Sequence, residues 1–178
     1  MVVWLTGISG AGKSTIADVI VRVAKPRLPS LVLIDGDVIR DLFGAGLGYD
    51  EDARKEQIGR IQRLSLFLSR QKIPIIVAAL YSSPELMQWN REHFRDYFEV
   101  YVDTPLDVVE TRDTKGLYAK SRENAAPNIV GIDIPWHAPS NPDMVVQTVG
   151  VTPQSIAMEI IAEAPVLRSL DLTHINYG

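Results

Sequence analysis

The fold of this chain is decided by the stretch Gly7-Ile8-Ser9-Gly10-Ala11-Gly12-Lys13-Ser14, which fits the P-loop pattern of Gly, four residues and Gly-Lys-Ser/Thr. An apolar run, Val2–Leu5, precedes it and is typical of a buried strand, and the helical pattern Thr15–Val21 follows it. In such a loop the glycines let backbone N–H groups turn inward around phosphate oxygens, and the helix N-terminus adds a favourable field. A glycine-rich turn that contains lysine by chance does not account for the strand and helix on either side.

The motif predicts a site for ATP phosphates and for Mg²⁺. We expect Lys13 to reach the β- and γ-phosphates as a catalytic residue, and the Ser14 hydroxyl to ligate the metal. The predicted ATP-binding residues are Gly7, Ser9, Gly10, Ala11, Gly12, Lys13, Ser14 and Thr15.

Composition limits the classes of protein that remain. With 178 residues, 46% hydrophobic and 22% charged, we expect one domain that spans residues 1–178 and contains the P-loop. The absence of cysteine excludes disulfides, thiolate catalysis and cysteine-ligated zinc. No apolar run approaches a membrane span, and the first residues do not resemble a signal peptide, so we expect a cytoplasmic protein without a membrane partner. The net charge of −4 argues against nucleic acid as a partner.

Short apolar runs alternate with longer helical patterns, which predicts a parallel sheet with crossover helices. The expected fold is α/β, a P-loop NTPase-like three-layer αβα sandwich with a parallel five-stranded sheet. Predicted strands are Val2–Leu5, Leu31–Ile34, Ile73–Leu80, Phe98–Val102 and Met144–Val146, and predicted helices are Thr15–Ala24, Asp50–Gln71, Pro84–Tyr97, Pro105–Arg112 and Pro153–Ala164.

A long segment, residues 113–142, has no strong periodicity and is rich in proline, glycine, asparagine and charge. A stretch of this length inside a compact domain is usually functional or disordered. In a P-loop kinase it is interpreted as a lid over the phosphates. Arg112 and Lys115 open this segment, and we predict that these cations neutralise charge on the transferring phosphoryl group.

Polar residues follow the predicted strands at the sheet edge where ligands of α/β proteins bind. Asp35 and Asp37 follow the second strand, where a carboxylate can accept the proton of an attacking hydroxyl or hold Mg²⁺ through water; an ordinary Asp-Gly turn is the alternative. Arg40 and Arg54 suit bidentate contacts with phosphate or sulfate, although each alone is more often a surface residue. Tyr81 suits either stacking on a base or a half-buried place in the core.

Beyond the P-loop, a set of short motifs resembles the adenylylsulfate (APS) kinase family over residues 2–146, and the stretch from Phe98 to Tyr118 is the most specific part. The shared pieces are Gly7–Ser14, Asp35-Gly36-Asp37 with Ile39-Arg40, Leu47-Gly48-Tyr49 with Arg54, Tyr81 with Ser83-Pro84, Phe98–Pro105, Arg112-Asp113, Lys115-Gly116-Leu117-Tyr118, Gly131-Ile132-Asp133, Pro135 and Ala138-Pro139.

The resemblance implies ATP- and Mg²⁺-dependent phosphorylation of the 3′-hydroxyl of APS, giving PAPS and ADP in sulfate assimilation. It implies that Asp37 is the catalytic base and that Arg40 and Arg54 grip the phosphosulfate. It places Tyr81 against the substrate adenine, and Lys115 and Leu117 in the lid. A homodimer is expected by analogy with the family.

Three departures from the family pattern lie on the substrate side. Val38 and Gln57 stand where asparagine is usual, and Gln57 is kept as a predicted substrate-binding residue. The segment Asn128-Ile129-Val130-Gly131 replaces a Gly-Phe-Thr-Gly element whose phenylalanine covers the adenine. The alternative is therefore a divergent enzyme that phosphorylates another small nucleotide, such as cytidine diphosphoramidate.

Two hypotheses from other classes are a nucleotide-binding regulator without catalysis and a nucleic-acid-processing NTPase. The presence of Lys13, Asp37 and Arg112 argues against the first, and the acidic balance of the chain argues against the second.

Overall fold

Five parallel strands form the central sheet of the computed structural model, which describes residues 1–44, 46–113, 116, 118 and 128–170. The strands are β1 (Val2–Thr6), β2 (Val32–Asp35), β3 (Ile75–Ala79), β4 (Tyr97–Asp103) and β5 (Met144–Gln147). Their spatial order is β2-β3-β1-β4-β5, with β1 in the centre. In the register, Thr6 pairs with both Ala79 and Tyr101, and Asp35 pairs with Ala78. The carboxyl ends of β1, β2 and β3 therefore meet at one edge.

Helices cover both faces of this sheet. They are α1 (Lys13–Ala24), α2 (Gly36–Leu42), α3 (Glu51–Arg70), α4 (Pro84–His93), α5 (Leu106–Arg112) and α6 (Pro153–Glu163). Apolar side chains of α1 and α6 form one core cluster with the sheet, and side chains of α3 and α4 form a second cluster on the opposite face. The predicted three-layer αβα sandwich is confirmed.

The central strand β1 shows why the sheet is covered on both sides. All five of its residues are buried. Because side chains alternate along a strand, Val3 and Leu5 enter the cluster with α1, whereas Val2 and Trp4 enter the cluster with α3 and α4. A continuous apolar run is typical of a parallel strand with helices on both faces.

Two helices differ from the sequence-based prediction. Helix α2 was not predicted; it begins directly after β2 because the Asp35 carboxylate accepts hydrogen bonds from the backbone N–H groups of Asp37 and Val38. Helix α4 ends at His93, four residues before the predicted boundary, and β4 begins at Tyr97. The reason is Phe94, which is extended and buried in the second core cluster.

Within the described part of the chain, no helix combines the length and the apolar character needed to cross a membrane.

Candidate active site

A cleft of about 790 Å³ lies at the carboxyl ends of the strands. Its walls come from the P-loop, the first turns of α2, the start of α3, the residues after β3 and residues 128–130. The charged side chains that line it are Lys13, Asp35, Asp37, Arg40, Arg54 and Arg112. These predicted residues, far apart in the sequence, come together in one cavity of the size that small-molecule sites usually have.

The P-loop backbone has the shape expected of a phosphate-binding loop. Gly10 and Gly12 have φ angles of +77° and +95°, a region that side-chain-bearing residues rarely adopt, and both line the cleft. A Cβ atom on Gly7 would come within 2.5 Å of the Val102 carbonyl oxygen, so Gly7 is required by close packing against β4.

Of the eight predicted phosphate-binding residues, Ser9, Gly10, Gly12, Lys13, Ser14 and Thr15 line the cleft. Gly7 and Ala11 are not among its lining residues, and Ala11 is fully buried. Lys13 is 9% exposed, and its Nζ donates to the Ile8 carbonyl oxygen at 2.8 Å. The ammonium group of Lys13 is therefore held against the backbone of the P-loop.

Asp35 connects the P-loop to α2. Its Oδ2 accepts a hydrogen bond from the Ser14 hydroxyl at 2.5 Å, while Oδ1 accepts from the Asp37 N–H at 2.9 Å. A hydroxyl and a carboxylate are the hard oxygen donors that Mg²⁺ prefers, so this pair fits the expected ion. Among the described residues, no group of three or more acidic or imidazole side chains is placed to hold a metal ion.

Asp37 lies in the first turn of α2, where its exposed side chain lines the same cleft. The geometry thus gives the two aspartates different positions. Asp35 is tied to Ser14 and to the helix N-terminus, whereas Asp37 faces the cavity.

Arg54 is 9% exposed and is fixed by two backbone carbonyl groups. Its Nε donates to the Tyr49 oxygen at 3.0 Å, and Nη2 donates to the Asn128 oxygen at 2.7 Å. Burial, together with the nearby Arg40 charge, lowers the pKa of Arg54 from its ordinary value. Both causes disfavour the guanidinium cation, and an anion bound beside Arg54 would oppose them by favouring the charged form.

Tyr49 is a cleft residue that we did not predict as part of the site. Tyr49 is 57% exposed, and the centroid of its ring lies 4.7 Å from the guanidinium carbon of Arg40 and 5.9 Å from that of Arg54. Arg40 is also held by the Leu47 and Gly48 carbonyl oxygens, at 3.3 and 2.8 Å. The signal for Tyr49 was an aromatic residue between two predicted anion-binding arginines.

Gln57 and Tyr81, both predicted to bind substrate, lie in the cleft wall and are buried. The Gln57 amide nitrogen donates to the Gly36 carbonyl oxygen at 3.0 Å, and its Oε1 is buried without a hydrogen-bond partner among the described residues. The Tyr81 hydroxyl donates to Glu51 at 2.9 Å, and burial together with this contact raises the pKa of Tyr81 to about 12. Tyr49 therefore offers a base far more ring surface than Tyr81 does.

Arg112, at the end of α5, lines the cleft. Both of its terminal nitrogens donate to Thr148, Nη1 to Oγ1 at 3.3 Å and Nη2 to the carbonyl oxygen at 3.0 Å. The other cation predicted beside it, Lys115, and the predicted lid residue Leu117 lie outside the described residues.

Part of the predicted lid packs against the core. Ile129, Val130 and Ile134 are buried, and Val130 bridges to Ile134. Through the Asn128 carbonyl this segment also contacts Arg54. Ile129 stands where the family pattern has phenylalanine, so this side of the cleft is a buried aliphatic wall in place of an aromatic ring.

Known proteins are similar to this chain over most of its length. A family model described as adenylylsulphate kinase matches residues 1–147. An adenylyl-sulfate kinase of Picosynechococcus sp. is 37% identical over 146 residues, which cover 82% of each chain. One from Halothermothrix orenii is 36% identical and covers 89% of this chain and 86% of its own. The structure of Mycobacterium tuberculosis APS kinase CysC in complex with AMPPNP and APS superimposes with a TM-score of 0.84 at 33% identity, and covers 95% of this chain and 97% of its own.

Proposed function

The chain belongs to the adenylylsulphate kinase family, and from that membership we propose that it transfers the γ-phosphoryl group of ATP to the 3′-hydroxyl of adenylylsulfate. The observation that carries the proposal is a single cleft that combines a P-loop, an exposed aspartate and a pair of arginines. The reaction is a phosphotransfer to an alcohol group, which gives PAPS and ADP.

The donor half of the site is the P-loop. Its glycine-rich backbone binds the phosphates of ATP, and Lys13 places a cation beside the β- and γ-phosphates. Ser14 and Asp35 would hold Mg²⁺, which neutralises charge on the phosphates when it is bound. The Ser14–Asp35 hydrogen bond keeps these two oxygen ligands together.

The acceptor half contains Arg40, Arg54 and Tyr49. The two guanidinium groups bind the negatively charged phosphosulfate, and Arg54 is positioned for this by two backbone carbonyls. The Tyr49 ring carries the two cations near its face and offers its exposed surface to the adenine. Tyr81 contributes to the wall behind this surface.

Asp37 is the catalytic base in this proposal. Its carboxylate accepts the proton of the 3′-hydroxyl as the 3′-oxygen attacks the γ-phosphorus, and the bond to the ADP oxygen breaks. The role suits its place in the first turn of α2, since Asp35 holds that turn by its backbone. Arg112 and Lys115 supply cations at the donor side.

The direct test measures ADP release from ATP and Mg²⁺ with the purified protein. Adenylylsulfate is compared with a panel of adenosine and cytidine diphosphate derivatives that includes cytidine diphosphoramidate. We expect saturable release with adenylylsulfate and PAPS as the product. Silence with adenylylsulfate and turnover with another nucleotide would overturn the acceptor, and would identify Val38, Gln57 and Ile129 as marks of a changed site.

The role of Asp37 needs its own variant. Asp37→Asn removes the base but keeps the size of the side chain, so we expect at least about a hundredfold slower turnover with ATP affinity close to that of the unmodified protein. An unchanged rate would mean that the proton goes elsewhere.

We also propose that the enzyme acts as a homodimer in the cytoplasm. Light scattering of the purified protein tests the first point, since a monomeric mass at assay concentration would contradict it. Cell fractionation tests the second.

A further inference from the structure

Two hydroxyl groups from outside the P-loop hold carbonyl oxygens of the loop. The Tyr118 hydroxyl donates to the Ser9 oxygen at 3.0 Å, and the Thr104 hydroxyl donates to the Ala11 oxygen at 3.4 Å. We propose that Tyr118 and Thr104 are positioning residues for ATP, which keep the loop in the conformation that turns its N–H groups toward the phosphates. This inference rests on the proposed kinase function.

In a planar trans peptide, the C=O of one residue and the N–H of the next point in opposite directions. When Tyr118 holds the Ser9 oxygen, the N–H of Gly10 is turned away from Tyr118. When Thr104 holds the Ala11 oxygen, the N–H of Gly12 is turned away from Thr104. Gly10 and Gly12 both line the cleft, so these amides are the ones that a bound phosphate would use.

The loop needs such external support because of its glycines. Gly10 and Gly12 have no side chain to restrict the peptide planes beside them, and glycine accepts both positive and negative φ angles. A plane that turns over would aim a carbonyl oxygen at the phosphates instead of an N–H group. The contacts of Tyr118 and Thr104 oppose this rotation from opposite ends of the same short stretch.

Both hydroxyls are buried and suited to donate. Tyr118 is 2% exposed, and burial together with Asp113 and Glu110 raises the pKa of its hydroxyl to about 12. The group therefore keeps its proton at neutral pH. Tyr118 also packs with its ring in the core cluster that contains α1, so the hydroxyl is fixed in place by the ring.

Thr104 is the middle member of a longer chain of hydrogen bonds. Its Oγ1 lies 2.7 Å from Thr148 Oγ1, which accepts from Arg112 at 3.3 Å. Arginine only donates, so one arrangement satisfies every group: Arg112 donates to Thr148, Thr148 to Thr104, and Thr104 to the Ala11 oxygen. This series of hydrogen bonds links Arg112, a cation of the cleft, to the P-loop backbone. Thr148 lies one residue beyond the range that the family model matches.

The experiment measures binding rather than turnover. AMPPNP and inorganic tripolyphosphate, each with Mg²⁺, are titrated calorimetrically into the unmodified protein and into Tyr118→Phe and Thr104→Val, which remove the hydroxyls and keep nearly the same shape. Thr104→Ser is the rescue variant because it keeps the hydroxyl. Tyr97→Phe is the matched control, since it also removes a hydroxyl from a hydrogen-bonded tyrosine, but the partners of that hydroxyl, Asn90 and Met87, lie in α4 and not in the P-loop.

We expect Tyr118→Phe and Thr104→Val each to weaken both ligands about fivefold to tenfold, the effect of one lost hydrogen bond. An equal effect on tripolyphosphate, which has no base or ribose, would locate the loss at the phosphate-binding loop, and the rescue and control variants separate it from a general loss of structure. Tyr97→Phe and Thr104→Ser should bind within about twofold of the unmodified protein.

Unchanged affinity in Tyr118→Phe and Thr104→Val would overturn the positioning role while the kinase function stands. Weaker AMPPNP binding with unchanged tripolyphosphate binding would overturn it too, because the hydroxyls would then act on another part of the nucleotide. If the unmodified protein binds neither ligand, the proposed function fails first and the inference fails with it.

Discussion

Asp35→Asn separates the two contacts that Asp35 makes. One oxygen caps α2 through the Asp37 N–H, and the other accepts from the Ser14 hydroxyl. Asparagine caps helices about as well as aspartate, so its oxygen can keep the first contact. Its NH₂ group then stands where the second oxygen was, and a donor replaces an acceptor beside Ser14.

The expected magnitudes follow from that exchange. The cap is kept, and the lost charge at the helix N-terminus is worth about 0.3–1 kcal/mol, so the melting temperature should fall by no more than about 4 °C. An NH₂ group facing Mg²⁺ repels the ion. Losing such a supporting oxygen usually weakens a metal site about 10- to 100-fold, and we expect kcat/KM for ATP to fall by a similar factor.

The assay is ADP release as a function of Mg²⁺ concentration, with urea unfolding of the same samples without nucleotide. Asp35→Asn should need about 10-fold or more Mg²⁺ for half-maximal rate. Asp50→Asn is the control, because Asp50 caps α3 in the same way but does not line the cleft. A normal Mg²⁺ dependence in Asp35→Asn would refute the metal role. A large loss of stability with a normal Mg²⁺ dependence would assign Asp35 to the fold alone.

Three further predictions address other parts of the molecule. Lys13→Ala should abolish both turnover and the rise in melting temperature caused by AMPPNP; a retained rise would contradict the phosphate role of Lys13. Arg54→Lys leaves at least one of two partly buried carbonyls without its donor, so the free energy of unfolding should fall by about 0.5–1.5 kcal/mol. KM for adenylylsulfate should rise about tenfold or more, and a normal KM would place the anion elsewhere. Burial raises the pKa of Glu99, although the nearby Arg91 opposes this. The protonated carboxyl of Glu99 is then favoured in the folded state. The free energy of unfolding, measured relative to Glu99→Gln, should therefore fall as the pH rises from about 4.5 through the raised pKa, and it should level off above that pKa. A difference between the two proteins that stays constant at all pH values in urea unfolding would contradict this.

The strand–loop–helix order and the apolar periodicity were enough to predict the three-layer fold. Those signals are local, because each strand and helix carries its own pattern of buried positions. These local patterns did not predict helix α2, and the reason is physical. It is only seven residues long and depends on a single side-chain cap from Asp35, so its own residues show no strong helical period.

The sequence predicted only some of the cleft residues, for a different reason. The P-loop motif predicted Lys13, residue type together with the family resemblance predicted Arg40 and Arg54, and the structure brings all three into one cleft. Exposure is set by tertiary packing, and it distinguishes Tyr49 from the buried Tyr81. A pattern of single residues does not contain that difference. Thr148 is a second example, since its contact with Arg112 spans 36 positions of the sequence.

The most direct test of the proposed activity uses two substrate analogues. The protein is given ATP, Mg²⁺ and either 2′-deoxy- or 3′-deoxyadenylylsulfate, and ADP and the phosphorylated product are measured. We predict that the 2′-deoxy compound is phosphorylated on its 3′-oxygen, while the 3′-deoxy compound binds as a competitive inhibitor and releases no ADP above the background. ADP release with the 3′-deoxy compound, or a phosphate found at another position, would contradict the proposal that the 3′-hydroxyl is the acceptor.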